Sequence, residues 1–586
     1  MKQFLITVAG VLVGLVLFLV VAPIVLISMI TASVTQAERT PSAVVLSLDL
    51  RTPMSDQTST NPFAGIGEQS LLDVLSRIDA AREDNHVRGL YVRAATDGMP
   101  ASQAEEIRTA LAAFQDSGKF VIAHIQGDGV RLSMPGYMAV AGADEVWLQE
   151  SSEFMPMGLT AETTFFAGTL QRYHMQAQFE TREEYKSAAA SLTQRGFTPA
   201  HREEMTSLMG SLYDQMLALI ASDRDVTVDA ARAAVEASPF TAQRAMDLKL
   251  VDHLGRPEDA ERAALARAGE RGVEAMNFSD YRPMARQSGP VIAVVQGEGA
   301  IASGPEETGF FGGDAAMNSD RVAAALLDAA NDENVRAIVF RVSSPGGSVV
   351  ASDQILHALR TAQGLGKKVV VSMGEVAASG GYYVSAYADE IVAEGTSITG
   401  SIGVLGGKLI IGPAMEHYLS AESETLQVGS PHVTMFSPDE PFTPEGRAAF
   451  AGFIDRAYDE FLGLVAEGRG MTREQVREVA RGRVWTGQQA YERGLVDHLG
   501  GLPVALARAK ALAGIDADER VQLRYFPLPE GPFEALERFF GVSSESAQAL
   551  ARLSAVVSDP RFQDAMQAME EGETGVRAQA PEMVVR

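Results

Sequence analysis

The stretch VIAVVQGEG (291–299) is a short, dense run of apolar and β-branched residues, the pattern of a strand buried on both faces. SDRVAAALLDAANDE (319–333) spaces its apolar residues at three and four positions, which predicts an amphipathic helix. VRAIVFRV (335–342) predicts a second buried strand, and SSPGG (343–347) a turn. SDQILHALRTAQGLG (352–366) predicts a helix that stops at glycine. KKVVVSMG (367–374) then predicts a strand, GGYYVSAYA (380–388) a helix and DEIVAEG (389–395) a strand. Strands alternating with helices predict βαβ units and a mainly parallel sheet, and such sheets bind ligands at the carboxyl ends of their strands. SSPGG and EVAASGG (375–381) both follow strands directly, so they can share one crevice.

The same pattern occurs twice. LVDHLG stands at 250–255 and 495–500, FTP at 197–199 and 442–444, and ADE at 143–145 and 388–390. Each pair is 245 positions apart, as are Tyr173 and Tyr418. Upstream, NHVRGLYVR (85–93) resembles ENVRAIVFR (333–341) at an offset of 248. A constant offset of this length marks a tandem duplication. The chain divides into residues 1–40, a first repeat at 41–270, a polar linker at 271–287, a second repeat at 288–515 and a tail at 516–586.

The repeats differ in their special residues. Opposite Ser379-Gly380-Gly381 the first repeat has Met134-Pro135-Gly136, and opposite Ser344-Pro345-Gly346-Gly347 it has Thr96-Asp97-Gly98-Met99. The first repeat therefore lacks the serine. Conversely, the first repeat holds Lys186 in EEYKSAAA, where the second reads VGSPHVTMF (428–436) without a lysine. Each repeat lacks what the other has, which points to one site assembled from both.

A serine in a Gly-rich turn is commonly an N-cap or part of an anion-binding turn. As a nucleophile it needs a neighbour that takes its proton. Of nine histidines, His253 and His498 are repeat-mates with a structural role, and His432 remains as a candidate base. Of eight lysines, Lys119, Lys367 and Lys368 open strands in a usual exposed position, while Lys186 and Lys408 remain. A chain with forty-one arginines that keeps a lysine in EEYKSAAA suits a base role, because arginine cannot lose its proton. The alternative is a solvated lysine beside Glu183 and Glu184.

Composition narrows the rest. A net charge of −27 without a basic cluster argues against nucleic-acid binding. The absence of cysteine excludes disulfides, thiolate metal sites and a cysteine nucleophile. From Phe4 to Ile30 the chain is almost wholly apolar, with no charge between Lys2 and Glu38. As a helix this run spans ~40 Å, against ~30 Å of bilayer hydrocarbon, which predicts an uncleaved transmembrane anchor. The positive-inside bias puts the N-terminus in the cytoplasm and the rest outside it.

SSPGGSVVASDQI, EVAASGGYYVSAYADEIVA, SITGSIGV and YKSAAA, in tandem copies behind an apolar segment, resemble the long form of signal peptide peptidase A. That family comprises membrane-anchored bacterial serine proteases of the Clp-protease/crotonase superfamily. The resemblance implies an α/β fold of duplicated ββα spiral domains behind a transmembrane helix. It implies Ser379 as nucleophile, Lys186 as general base and Ser401, in TGSIG, as the group that orients the lysine. It further implies an oxyanion hole from the N–H groups of Gly380 and one of Gly346 or Gly347. No cofactor and no metal are implied. The expected substrates are cleaved signal peptides and other apolar peptides. The expected setting is a single-pass protein of the bacterial inner membrane, its catalytic part periplasmic, assembled as a homotetramer. Extended substrate is expected to pair with Ser348, Val349 and Val350. Three other readings stay open. One is a tethered protease acting on membrane proteins. Another is a crotonase-like acyl-CoA enzyme, which would want a glutamate acid/base pair. The third is a degenerate membrane scaffold.

Overall fold

The apolar runs form the centres of two sheets. The computed structural model describes residues 43–57, 69–126, 133–269, 272–283, 289–304 and 316–527. All of these lie in one unit, Thr40–Ser59 with Gly65–Leu528. The expected anchor at 1–40 lies outside the described residues, and among the described residues no helix is long and apolar enough to cross a membrane.

The first sheet runs, edge to edge, His253–Leu254, Glu145–Leu148, Phe120–Ile125, Val87–Arg93, Val44–Asp49 and Glu274–Asn277, all parallel. The second repeats that order with His498–Leu499, Glu390–Ala393, Lys368–Ala378, Val335–Ser344, Val291–Glu298 and Gln522–Phe526. Even the irregularities recur: the register slips at Val44/Val45 in one sheet and at Val291/Ile292 in the other. The buried Tyr137 and Tyr382 hydroxyls, 245 positions apart, donate to the carbonyls of Leu250 (2.7 Å) and Leu495 (2.9 Å). The chain is thus a mixed α/β protein of two like halves.

Three expectations need correction. Glu274–Asn277, read as linker, and Gln522–Phe526, read as tail, are each the edge strand of a sheet. Edge strands need only one apolar face, so their polar composition hid them. Val349 and Val350 do not extend a strand, because Val349–Gly364 is a helix whose N-cap Ser348 accepts from the N–H of Ala351 (3.3 Å). Val349 and Val350 therefore offer no strand edge, and of the three residues Ser348 alone is extended. Lys119 and Lys367 are not idle surface groups: their amines donate to carbonyls of Ala81 and Asp84, and of Asp332 and Val335.

The two halves share a core. Ile292, Val339, Val370, Leu502 and Ala505 of the second pack in one cluster with Leu46, Leu75 and Ile107 of the first. Burial of such side chains, at roughly 1.5–3 kcal/mol each, keeps the halves from separating without cost. A charged cluster spans the same contact. Arg341, fully buried, donates from Nη2 to Asp56 (2.5 Å) and Glu106 (2.6 Å) of the first half, and from Nη1 to Ser372 Oγ (3.0 Å). Burial opposes its charge, but the two carboxylates more than offset this and hold the guanidinium protonated. Arg341→Leu strands both carboxylates without a counter-charge. It is expected to cost about 3–5 kcal/mol, read as a lower urea midpoint at unchanged slope. A wild-type midpoint would mean that the cluster adds nothing to stability.

Candidate active site

The strand Lys368–Ala378 changes partners along its length. Val370–Met373 pairs with Glu390–Ala393, whereas Val376–Ala378 pairs with Ile398–Gly400. It ends at Ser379, where φ is 55° and ψ −116°, and the helix Gly380–Ser385 begins. A non-glycine residue in this region carries strain on the order of 1–3 kcal/mol and is held there by its surroundings. Here the holding bond is from Ser379 N–H to the carbonyl of Gly400, 2.9 Å.

The SPGG turn packs against that corner. Gly346, with φ 97°, comes so close that a Cβ on it would lie 2.5 Å from the nitrogen of Gly380. A Cβ on Gly381 would lie 2.5 Å from the carbonyl oxygen of Ser344. Gly346 N–H donates to Ser344 Oγ (3.1 Å), whereas the N–H groups of Gly347 and Gly380 meet no acceptor among the described residues.

Lys186 arrives from the first half. The strand Gln176–Thr181 pairs antiparallel with Leu405–Ile410 of the second half over six residues. Arg182 N–H then donates to Val404 O (3.0 Å) and Tyr185 N–H to Arg481 O (3.2 Å), so the following turn is stitched to the second half. Gly482, with φ 78°, lies flat against it: a Cβ there would sit 2.6 Å from Lys186 N. Lys186 is only 8% exposed. Its Nζ lies 2.9 Å from Ser379 Oγ, 2.9 Å from the carbonyl oxygen of Ser401 and 3.0 Å from Ser401 Oγ. Burial pushes the amine down to about 8, against an upward pull from Glu204. An ordinary lysine is under ~1% neutral at pH 8, and at this value about half is neutral.

Ser379, Lys186, Ser401, Gly380 and the Gly346-Gly347 turn are thus together. The other candidates are elsewhere. Lys408 Nζ donates to the carbonyls of Ser437 (2.9 Å) and Glu440 (2.6 Å) and stands over the Phe442 ring. His432 sits in a turn, its N–H on Ser430 Oγ (3.2 Å), and makes no hydrogen bond to Ser379. Sequence reasoning missed Gly482 and the buried Glu204. A signal for Glu204 was present: its repeat-mate at offset 245 is Ala449.

A strained serine at a strand-to-helix corner, in contact with a desolvated amine and beside two free N–H groups, has the parts that acyl transfer requires. Serine hydrolases that use an amine where others use histidine need the same parts. The model of peptidase family S49 matches residues 113–270 and 361–516. Protease 4 of Salmonella typhi is 32% identical over 504 residues, covering 81% of this chain and 79% of that protein. Protease 4 of Haemophilus influenzae is 29% identical over 77% of this chain and 74% of its own length. The chloroplastic serine protease SPPA of Arabidopsis thaliana is 26% identical over 83% of this chain and 72% of its own. The chain belongs to peptidase family S49, as a serine protease of the Protease 4/SppA type.

Gly482→Ala must displace the Lys186 backbone. It is expected to lower hydrolysis of a fluorogenic peptide by at least about tenfold, with the fold kept and the melting temperature lowered by a few degrees. Lys408→Ala should retain most activity; the reverse pattern would mean that the wrong lysine has been placed at the centre.

Proposed function

We propose that this chain is a membrane-tethered endopeptidase in which Ser379 is the nucleophile and Lys186 the general base, acting on apolar peptides such as cleaved signal peptides. The observation that carries the reading is the 2.9 Å contact between the buried Lys186 Nζ and Ser379 Oγ. A neutral amine has two N–H donors and one lone pair. Ser401 supplies two acceptors, its carbonyl and its Oγ, and its own hydroxyl proton can reach the carbonyl of Gly482 (3.4 Å). The lone pair is then left for the Ser379 hydroxyl. Oγ attacks the scissile carbonyl as its proton passes to Nζ. The N–H groups of Gly380 and Gly347 receive the oxyanion, Gly346 being already committed to Ser344. The ammonium returns the proton to the leaving amine. A water molecule, deprotonated by the regenerated amine, then releases the acyl group. No carboxylate is needed to fix a tautomer, as it would be for histidine.

The apolar run from Phe4 to Ile30 supports tethering, with the catalytic part on the extracytoplasmic side. A tethered protease meets membrane-resident apolar segments at high effective concentration. The repeat also supports association between copies, for which the family resemblance implies a homotetramer. Within the chain, Gln176–Thr181 pairs with Leu405–Ile410. At the repeat offset, the counterparts are 421–426 and 160–165, neither of which belongs to a strand. Leu426 and Val428 are each 93% exposed, and the helix Gly412–Leu419 buries no residue. The same antiparallel pairing between copies, second half to first half, brings these two segments together.

Ser379→Ala and Lys186→Ala are each expected to abolish peptide hydrolysis without unfolding the protein. Wild-type kcat/KM should rise with pH through about 8, because only the neutral amine is productive. Activity lost in His432→Ala and kept in Lys186→Ala would give the base role to histidine instead. For assembly, Leu426→Asp with Val428→Asp should lower the mass seen by light scattering, and a monomeric wild type would remove the assembly from the reading.

A further inference from the structure

Glu204 is a buried carboxyl that the mechanism above does not use. It lies on the helix Pro199–Asp223 of the first half and is 2% exposed. Oε1 accepts the backbone N–H of Val484, 2.8 Å away in the second half, and Oε2 accepts the hydroxyl of Ser187 at 3.3 Å. Ser187 is the residue after Lys186. Val484 is two residues beyond Gly482, which lies against the Lys186 backbone. One carboxyl therefore grips both walls of the slot that holds the lysine.

Its reach extends to the acceptors as well. Val484 opens the strand Val484–Thr486, which pairs antiparallel with Ile398–Gly400. Ser401 N–H donates to Arg483 O at 2.7 Å, and Gly400 O takes the N–H of Ser379. Neighbouring groups on the same helix also touch this strand: Glu203 with Arg483, and Ser211 with Thr486. Glu203 also meets the Tyr185 side chain, on the residue before Lys186, while Glu204 holds Ser187, the residue after it. The repeat supplies an independent observation. Like Lys186, Glu204 has no counterpart in the other half, where Ala449 stands. It is asymmetric in the same sense as the site.

Resting on the reading of Lys186 as base, we propose that Glu204 is a positioning residue. Its carboxyl ties the residue after Lys186 to the strand Val484–Thr486 and so fixes the amine between Ser379 and Ser401. The charged groups that face it are Arg483 and Lys186. Burial pushes its acid up to about 7, against the Val484 N–H and those two cations, so above that pH it bears a charge that favours the ammonium of Lys186. The tether therefore has an electrostatic cost to the base, and the two effects separate by substitution.

The experiment is a set of pH–rate profiles on one apolar fluorogenic peptide, using the full chain. The variants are Glu204→Ala, Glu204→Gln and Lys186→Ala, each checked for its melting temperature. Glu204→Ala loses both grips and is expected to lower kcat about ten- to a hundredfold, with KM within about twofold. Glu204→Gln keeps an acceptor for Val484 and a partner for Ser187. It is expected to restore kcat to within about threefold of wild type. Because the negative charge is gone, it should also move the rise of the profile to lower pH. A Glu204→Ala enzyme with wild-type kcat overturns the proposal. If that variant does not fold, Glu204→Gln decides: an unmoved profile, or a kcat as low as expected for alanine, overturns it. Activity surviving in Lys186→Ala would remove the base reading itself, an outcome distinct from either of these.

Discussion

A lysine amine takes a proton from a serine only where water does not hold it charged, and the seam between the two halves removes that water. Nearly every feature near the seam serves that exclusion. The strand pair Gln176–Thr181 with Leu405–Ile410 carries the lysine across. Gly482 lets the second half lie directly on its backbone, and the shared apolar cluster keeps the halves closed. The buried Arg341 with Asp56 and Glu106 crosses the same contact with paired charge. An enzyme built this way depends on domain closure for its chemistry, since a seam that opened would rehydrate the amine and recharge it.

Ser379, the proposed nucleophile, is fixed by a different device. Ser379 sits at the end of a strand whose upper half leaves one neighbour for another, so the chain turns sharply into a helix with φ positive. Only a glycine at 346 allows the facing turn to come within contact of that corner. Backbone strain and close approach therefore place Oγ, while burial tunes Nζ. The two halves of the duplication have divided these tasks.

Much of this division was legible in the sequence, because a repeat carries its own control. Comparing Ser379 with Met134, and Lys186 with its lysine-free counterpart, isolates the residues that folding alone does not require. The central strands were legible for a simpler reason: burial on both faces leaves continuous apolar runs. What escaped follows from the same physics. The edge strands Glu274–Asn277 and Gln522–Phe526 bury little and so look like linker. Ser348-Val349-Val350 is expected from the sequence to pair with extended substrate, but the serine caps a helix that begins at Val349. The choice between Gly346 and Gly347 depends on where one N–H points, which no residue pattern records. Glu204 could have been found by extending the repeat comparison past the lysine.

The proposed split of a Ser379–Lys186 dyad across the duplication has a consequence in time. A ribosome completes the half with Lys186 before it reaches Ser379, which is 193 residues further on. On the proposed reading the early half holds Lys186 without Ser379, and an amine that is still open to solvent keeps its proton. Hydrolytic competence therefore arrives in one step, when the later half has been made and has closed on the earlier one. On that reading the earlier half alone, lacking Ser379, has no means of cutting its neighbours during synthesis.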